Sequence, residues 1–259
     1  MFDLNAEWQI SLAGCGFTSI YYVGVFSCFL EQAPYIIKGA SKISGASSGS
    51  LIAAVLTTGM NLEKFCENLL SMAREARKWK LSTLHPCFNL LKCVRVSLER
   101  DLPSDAHLRA TGKLCVSLTR VSDGRNVLVS EFNSKEELIQ VLICSCFYPV
   151  YCGLIPPLFN GVHYVDGALS NNMPHWDLKN TITVCPFSGE SDVCPRESTL
   201  NFHKYHQNNA SIMFNTRNLH RVVMSFLPPE PQVRKPQGLV HHTVVITWFS
   251  SPYSGHYMV

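Results

Sequence analysis

Between Ile43 and Leu56 the chain reads as a few strand-forming residues, a sharp turn and an apolar helix, with Gly45 and Gly49 bracketing Ser47 in a G-x-S-x-G pattern. Such a corner is strained, and it pushes the serine Oγ out of the backbone where side chains larger than glycine would clash. Ser47 is therefore the candidate nucleophile. The helix that follows directs its N-terminal amides and positive dipole end back at the turn, which favours an alkoxide or oxyanion there. Taken alone, the pattern also fits a plain Gly/Ser loop ahead of a buried helix.

With 259 residues and 46% hydrophobic content, the chain has enough apolar surface for one substantial core, and a single domain of α/β size is the simplest expectation. The formal charge of +3 is small, and apart from Arg74, Arg77, Lys78 and Lys80 the cations are scattered, so no footprint for nucleic acid stands out. Eleven cysteines form an odd set in a large chain with no C-x-x-C pair and no basic-then-apolar signal peptide ahead of them. Buried thiols in a reducing compartment are expected rather than disulfides or a zinc site, and no metal or cofactor is implied. The apolar run Leu138 to Leu158 is broken by Pro149, Gly153, Pro156 and Pro157, so a soluble or membrane-peripheral protein is expected, not a spanning one.

The alternating segment Trp8 to Ala13 predicts a first strand, running into Gly14-Cys15-Gly16-Phe17 and a helix that ends before Pro34. A strand, a glycine loop and a helix start make an anion site. The dinucleotide fingerprint fails at its third glycine, which is Ser19 here, so an oxyanion hole formed by Gly14, Cys15 and Gly16 is the better use. Asn61 is placed to cap a helix to about Lys80, and another is expected over Phe88 to Leu98. Lys113 to Val121 and Asn126 to Phe132 predict a hairpin across Asp123-Gly124, and Ser134 to Glu137 a capping box opening a helix toward Phe147. Val162 to Val165 predicts a short strand ending in Asp166-Gly167-Ala168, which places a carboxylate at a strand end where α/β proteins put chemistry. Thr181 to Val184 predicts one more strand, and Asn201 to Leu227 an uneven, partly helical segment.

Together, Gly14-Cys15-Gly16-Phe17, Gly45-Ala46-Ser47-Ser48-Gly49, Asp166-Gly167-Ala168 and the run from Pro149 to Pro157 resemble the patatin-like phospholipase domain, and within it the vertebrate adipose triglyceride lipase subgroup. The resemblance runs from about Trp8 to about Pro231, so residues 1–231 are expected to form the acyl hydrolase domain, and 232–259, with the strand-like Gly238 to Phe249, a divergent tail with no domain assigned. It implies a three-layer α/β/α fold with a mostly parallel central sheet. It also implies a dyad in which Ser47 attacks the acyl carbonyl and Asp166 takes its proton without a histidine, with Gly14, Cys15 and Gly16 at the family's oxyanion hole. The substrate it implies is triacylglycerol or a related lipid ester in lipid catabolism. The site implied is cytoplasmic, at a lipid droplet or membrane surface, with a coactivator protein of the α/β-hydrolase fold as a partner.

A carboxylate is a weak base in water, so this chemistry requires Asp166 to be buried. Three other readings use the same residues. A transacylase replaces water with a lipid hydroxyl. A weak or inactive form, suggested by Ser19 and the tail, binds lipid or coactivator. A Ser-Asp-His triad would recruit His175, His203, His206 or His220, which follow Asp166 in the right chain order.

Overall fold

The computed structural model describes residues 6–79, 82–85, 88–174, 180–196 and 204–228. The alternating N-terminal segment forms β1 (Gln9–Leu12), and the glycine loop passes through one 3-10 turn (Gly16–Ser19) into α1 (Ile20–Gln32). A second helix, α2 (Pro34–Lys38), starts on the proline that was expected only to end the first, because a proline at the first helical turn lacks only an amide that would be unpaired anyway. β2 (Lys42–Ala46) then leads through Ser47 into α3 (Ser48–Thr58).

α4 (Leu62–Arg77) opens where Asn61 Oδ1 accepts the Lys64 amide at 3.1 Å, as its sequence position required. α5 (Leu90–Asp101) and α6 (Ala106–Ala110) follow, then β3 (Leu114–Arg120) and β4 (Asn126–Val129), which pair antiparallel across Asp123-Gly124. α7 (Lys135–Ser145) is capped by Ser134, whose Oγ accepts the Glu137 amide at 3.1 Å. Glu137 reaches back one residue further than a capping box has it, to the Asn133 amide at 2.9 Å. β5 (Leu158–Phe159) and β6 (Val162–Asp166) turn on Asn160-Gly161, and β7 (Thr181–Val184) precedes a second hairpin of β8 (Lys204–Gln207) and β9 (Ala210–Met213), followed by α8 (Thr216–Phe226). The segment expected to be uneven and partly helical is thus a hairpin plus a helix. Its turn is Asn208-Asn209 with both residues at positive φ, 49° and 70°, a conformation asparagine tolerates better than other side chains. The strand-like tail from Gly238 to Phe249 lies outside the described residues.

The main sheet has seven strands in the order β5-β6-β3-β2-β1-β7, with β4 also on β3. β7, β1, β2 and β3 are parallel, and β4, β5 and β6 supply the antiparallel pairings. Consecutive residues of β1 and β3, which point to opposite faces, are buried alike, so both faces of the sheet are covered and the molecule has three layers.

Register along β3 brings the two motifs together. β2 pairs with Leu114 to Ser117, β6 with Leu118 to Arg120, and β4 with Val116 to Thr119. A strand has two edges, and β4 shares partners with both β2 and β6, so β2 and β6 must lie on the other edge, end to end. They run toward each other and meet with Ala46 opposite Ser117 and Asp166 opposite Leu118. Ser47 follows directly on Ala46. The parallel neighbour β1 delivers the Gly14 loop to the same end of the sheet.

Candidate active site

Ser47 sits at φ 52° and ψ −131°, a left-handed conformation for a residue with a side chain. Strain of this kind costs about 1–3 kcal/mol and persists only where surrounding structure enforces it. Here a Cβ on Gly45 would come within 2.4 Å of the Gly49 backbone, and one on Gly49 within 2.6 Å of the Leu12 carbonyl, so the elbow closes only around two glycines. The Ser47 amide donates to Ser145 Oγ at 2.9 Å, and Ser145 donates on to the Ser117 carbonyl at 2.8 Å, tying the elbow to β3. The Ser47 carbonyl accepts from Ser50 Oγ at 2.6 Å.

Asp166 is 2% exposed. Its amide donates to the Phe147 carbonyl at 2.8 Å, and its carbonyl accepts from Thr119 Oγ1 at 2.7 Å, so its backbone is fixed on both sides. Burial pushes its carboxyl up to about 7, against the opposing pull of the facing Ser47 hydroxyl and of the Ala168 amide, which donates to Oδ1 at 2.9 Å. A carboxyl titrating there is a competent proton acceptor near neutral pH. Among the described residues no histidine lines this site: His206 and His220 are exposed, and His175 and His203 lie outside the described residues. His85 stacks on Trp79 with ring centroids 4.3 Å apart.

The glycine loop is more differentiated than its sequence indicates. The Gly14 amide donates to Asn172 Oδ1 at 2.8 Å and the Cys15 amide to Ser48 Oγ at 3.1 Å. Both bonds hold the loop's shape, and among the described residues the Gly16 amide has no acceptor, which leaves it available to a ligand. Gly16 has φ 53°, and a Cβ there would lie 2.2 Å from the Ser225 carbonyl of α8. Asn172, Ser48 and Ser145 are site residues the sequence reading missed. Each acts by one hydrogen bond to a backbone amide, which no periodicity or spacing signals.

Gly14, Cys15, Gly16, Ser47 and Asp166 line one cavity of about 310 Å³, at the lower end of the range of ligand pockets. The thiols lining it are poor nucleophiles, since burial pushes Cys15 up to about 11, Cys152 up to about 12 and Cys146 well above its ordinary value. Ser19, the departure from the glycine pattern, also lines the cavity, and its buried hydroxyl has no partner among the described residues.

Comparison with known proteins identifies the family. Residues 10–179 match the family model described as patatin-like phospholipase. The chain is 54% identical over 233 residues to patatin-like phospholipase domain-containing protein 2 of Rattus norvegicus, covering 90% of this chain and 49% of that protein. The same protein of Homo sapiens is also 54% identical, with 46% of its length covered. The mouse protein named 1-acylglycerol-3-phosphate O-acyltransferase Pnpla3 is 44% identical, over 90% of this chain and 56% of its own length. The chain thus spans about half the length of these curated relatives. Among solved structures, VipD from Legionella pneumophila aligns with a TM-score of 0.44 and 17% identity over 69% of this chain and 49% of that one.

Proposed function

Because this chain belongs to the patatin-like phospholipase family, we propose that it is a serine acyl hydrolase, with Ser47 and Asp166 as its catalytic pair and long-chain lipid esters, triacylglycerol foremost, as its substrates. The observation that carries this reading is a buried carboxyl, titrating near 7, facing a serine held at a strained elbow. Ser47 Oγ attacks the ester carbonyl as Asp166 takes its proton. The oxyanion accepts from the Gly16 amide and from the N-terminal end of α3. Collapse breaks the ester bond, the leaving alkoxide takes the proton from Asp166, and the acyl group stays on Ser47. Water then repeats the sequence with its own proton passing to Asp166, releasing the fatty acid and restoring Ser47.

A lipid surface suits the mouth of this site. Residues 138–165 contain no Asp, Glu, Lys or Arg, and within them Val150, Leu154 and Ile155 are each about four-fifths exposed beside Tyr148 and Tyr151, which line the cavity. We place this contact at a droplet or membrane surface; no described helix is long and apolar enough to cross a membrane. The coactivator protein expected from the subgroup resemblance is a further proposed partner.

Acyl transfer is the second reading, supported by the relative named as an acyltransferase. It uses the same pair, with a lipid hydroxyl in place of water. Incubating the protein with radiolabelled triolein, with and without a monoacylglycerol or 1-acylglycerol-3-phosphate acceptor, separates the two. Free fatty acid that is insensitive to acceptor supports the hydrolase. Label appearing mainly in a larger glycerolipid supports transfer. Neither product from the wild type, or undiminished product from Ser47→Ala, would contradict the serine chemistry common to both.

A further inference from the structure

The cavity around Ser47 has two unlike sides. Toward α8 it is open, with Tyr148 and Val222 among its lining residues 37% and 36% exposed. Between α4 and α5 it is more enclosed, with Phe65, Leu69, Val94 and Leu98 only 3% to 7% exposed and Met72, Leu90 and Leu91 half-buried. The helices produce this enclosed side by periodicity. Phe65, Leu69 and Met72 recur at i, i+4 and i+7 on α4, and Leu91, Val94 and Leu98 at i, i+3 and i+7 on α5, so each presents one stripe to the space between them. Cys66, Leu70 and Ala73 form a second buried stripe on α4 that does not line the cavity. The two sets lie side by side on one broad apolar face of α4, with Phe65, Leu69 and Met72 on the flank that meets the cavity.

Space walled by apolar side chains lacks dispersion partners, stays dry and takes apolar guests. Asp166 is the one Asp, Glu, Lys or Arg among the described lining residues, so no cation is there to receive a carboxylate or phosphate headgroup. The polar groups on the enclosed side are Asn68 and Ser97, and Asn68 is already engaged. Its Nδ2 donates to Asp101 at 2.7 Å and its Oδ1 accepts from Arg100 at 2.6 Å.

We propose that the enclosed space between α4 and α5 is the seat of the acyl chain, with the remainder of the lipid on the open side under α8. This rests on Ser47 being the residue that receives the acyl group. Phe65, Leu69, Val94 and Leu98 would then govern which chains are accepted, and Asn68 and Ser97 bound the apolar wall.

Two measurements that need no turnover test it. The first uses the methyl ester of a long-chain fatty acid, carrying a diazirine near its methyl end and an alkyne for recovery, photolysed with the full-length Ser47→Ala protein. Crosslinks are expected in peptides from residues 62–77 and 90–101, and crosslinks confined to 148–159 or 216–226 would overturn the proposal. The second titrates cis-parinaric acid methyl ester and follows its fluorescence. Leu69→Trp and Val94→Trp should each weaken binding at least tenfold, whereas Val96→Trp, at a half-exposed position of α5, should bind as the wild type does. Cavity-filling variants that keep the wild-type melting temperature and bind equally well would contradict it. Absence of hydrolysis in every assay, with crosslinks still in α4 and α5, would remove the hydrolase reading and leave the acyl seat standing.

Discussion

At Asp166 the burial that the proposed chemistry requires works against stability. Its carboxyl is raised from an ordinary 3.8 to about 7, so the folded state holds the proton more tightly than the unfolded chain does. Stability from this group is fully present below about 3.8 and is lost as pH rises toward 7, because the folded protein must then bury a charge. Asp166→Asn removes that penalty. The variant should gain melting temperature over the wild type at pH 8 and gain less at pH 5, while its ester hydrolysis falls to background at both. Equal gains at the two pH values would mean that the carboxyl is not held neutral by burial. Single changes His206→Ala and His220→Ala should leave most of the activity, and loss in either would favour a triad. Ser145→Ala leaves the Ser47 amide and the Ser117 carbonyl without their shared hydroxyl, at a cost of about 1–3 kcal/mol by denaturant unfolding. It should lower kcat more than it changes KM, because the elbow's backbone moves and the walls of the cavity do not.

The contact of α8 with the glycine loop makes that helix part of the site. Gly16→Val places a side chain at positive φ and drives a Cβ into the Ser225 carbonyl, so both the loop and α8 must shift. Turnover should fall about a hundredfold to a thousandfold, the size expected for loss of one oxyanion donor. Gly124→Ala is the comparison, since it too has positive φ but meets nothing within 4 Å; it should cost about 1–2 kcal/mol in stability and leave kcat unchanged. At this scale much was legible. The elbow at Gly45, Ser47 and Gly49, the caps at Asn61 and Ser134 and the hairpin at Asp123-Gly124 are local rules, and local sequence carries them. The β8–β9 hairpin was also encoded, in Asn208-Asn209, but each strand has only four residues, Lys-Tyr-His-Gln and Ala-Ser-Ile-Met, too few for a regular alternation to show. What could not be read is long-range: the engagement of Gly14 by Asn172 spans 158 residues, and that of Cys15 by Ser48 spans 33. Each is a pairing of one side chain with one amide, fixed by how strands meet and not by any pattern along the chain.

For the whole molecule, the proposed chemistry rests on one arrangement of strands. Because β2 and β6 approach each other end to end along one edge of β3, two motifs 119 positions apart in the chain deliver a serine and an aspartate to a single point, and β1 brings the glycine loop beside them. The rest of the architecture buries the aspartate and walls the cavity. The central claim is therefore that Ser47 is a nucleophile activated by Asp166. A fluorophosphonate probe followed by peptide mass spectrometry measures this directly, since the probe becomes covalently attached only to an activated nucleophile. The adduct is expected on Ser47 in the wild type, and labelling should drop to background in Asp166→Asn while that variant keeps its fold. An adduct on Cys15, Cys146 or another residue in place of Ser47, or equal labelling of Ser47 in the wild type and Asp166→Asn, would contradict it.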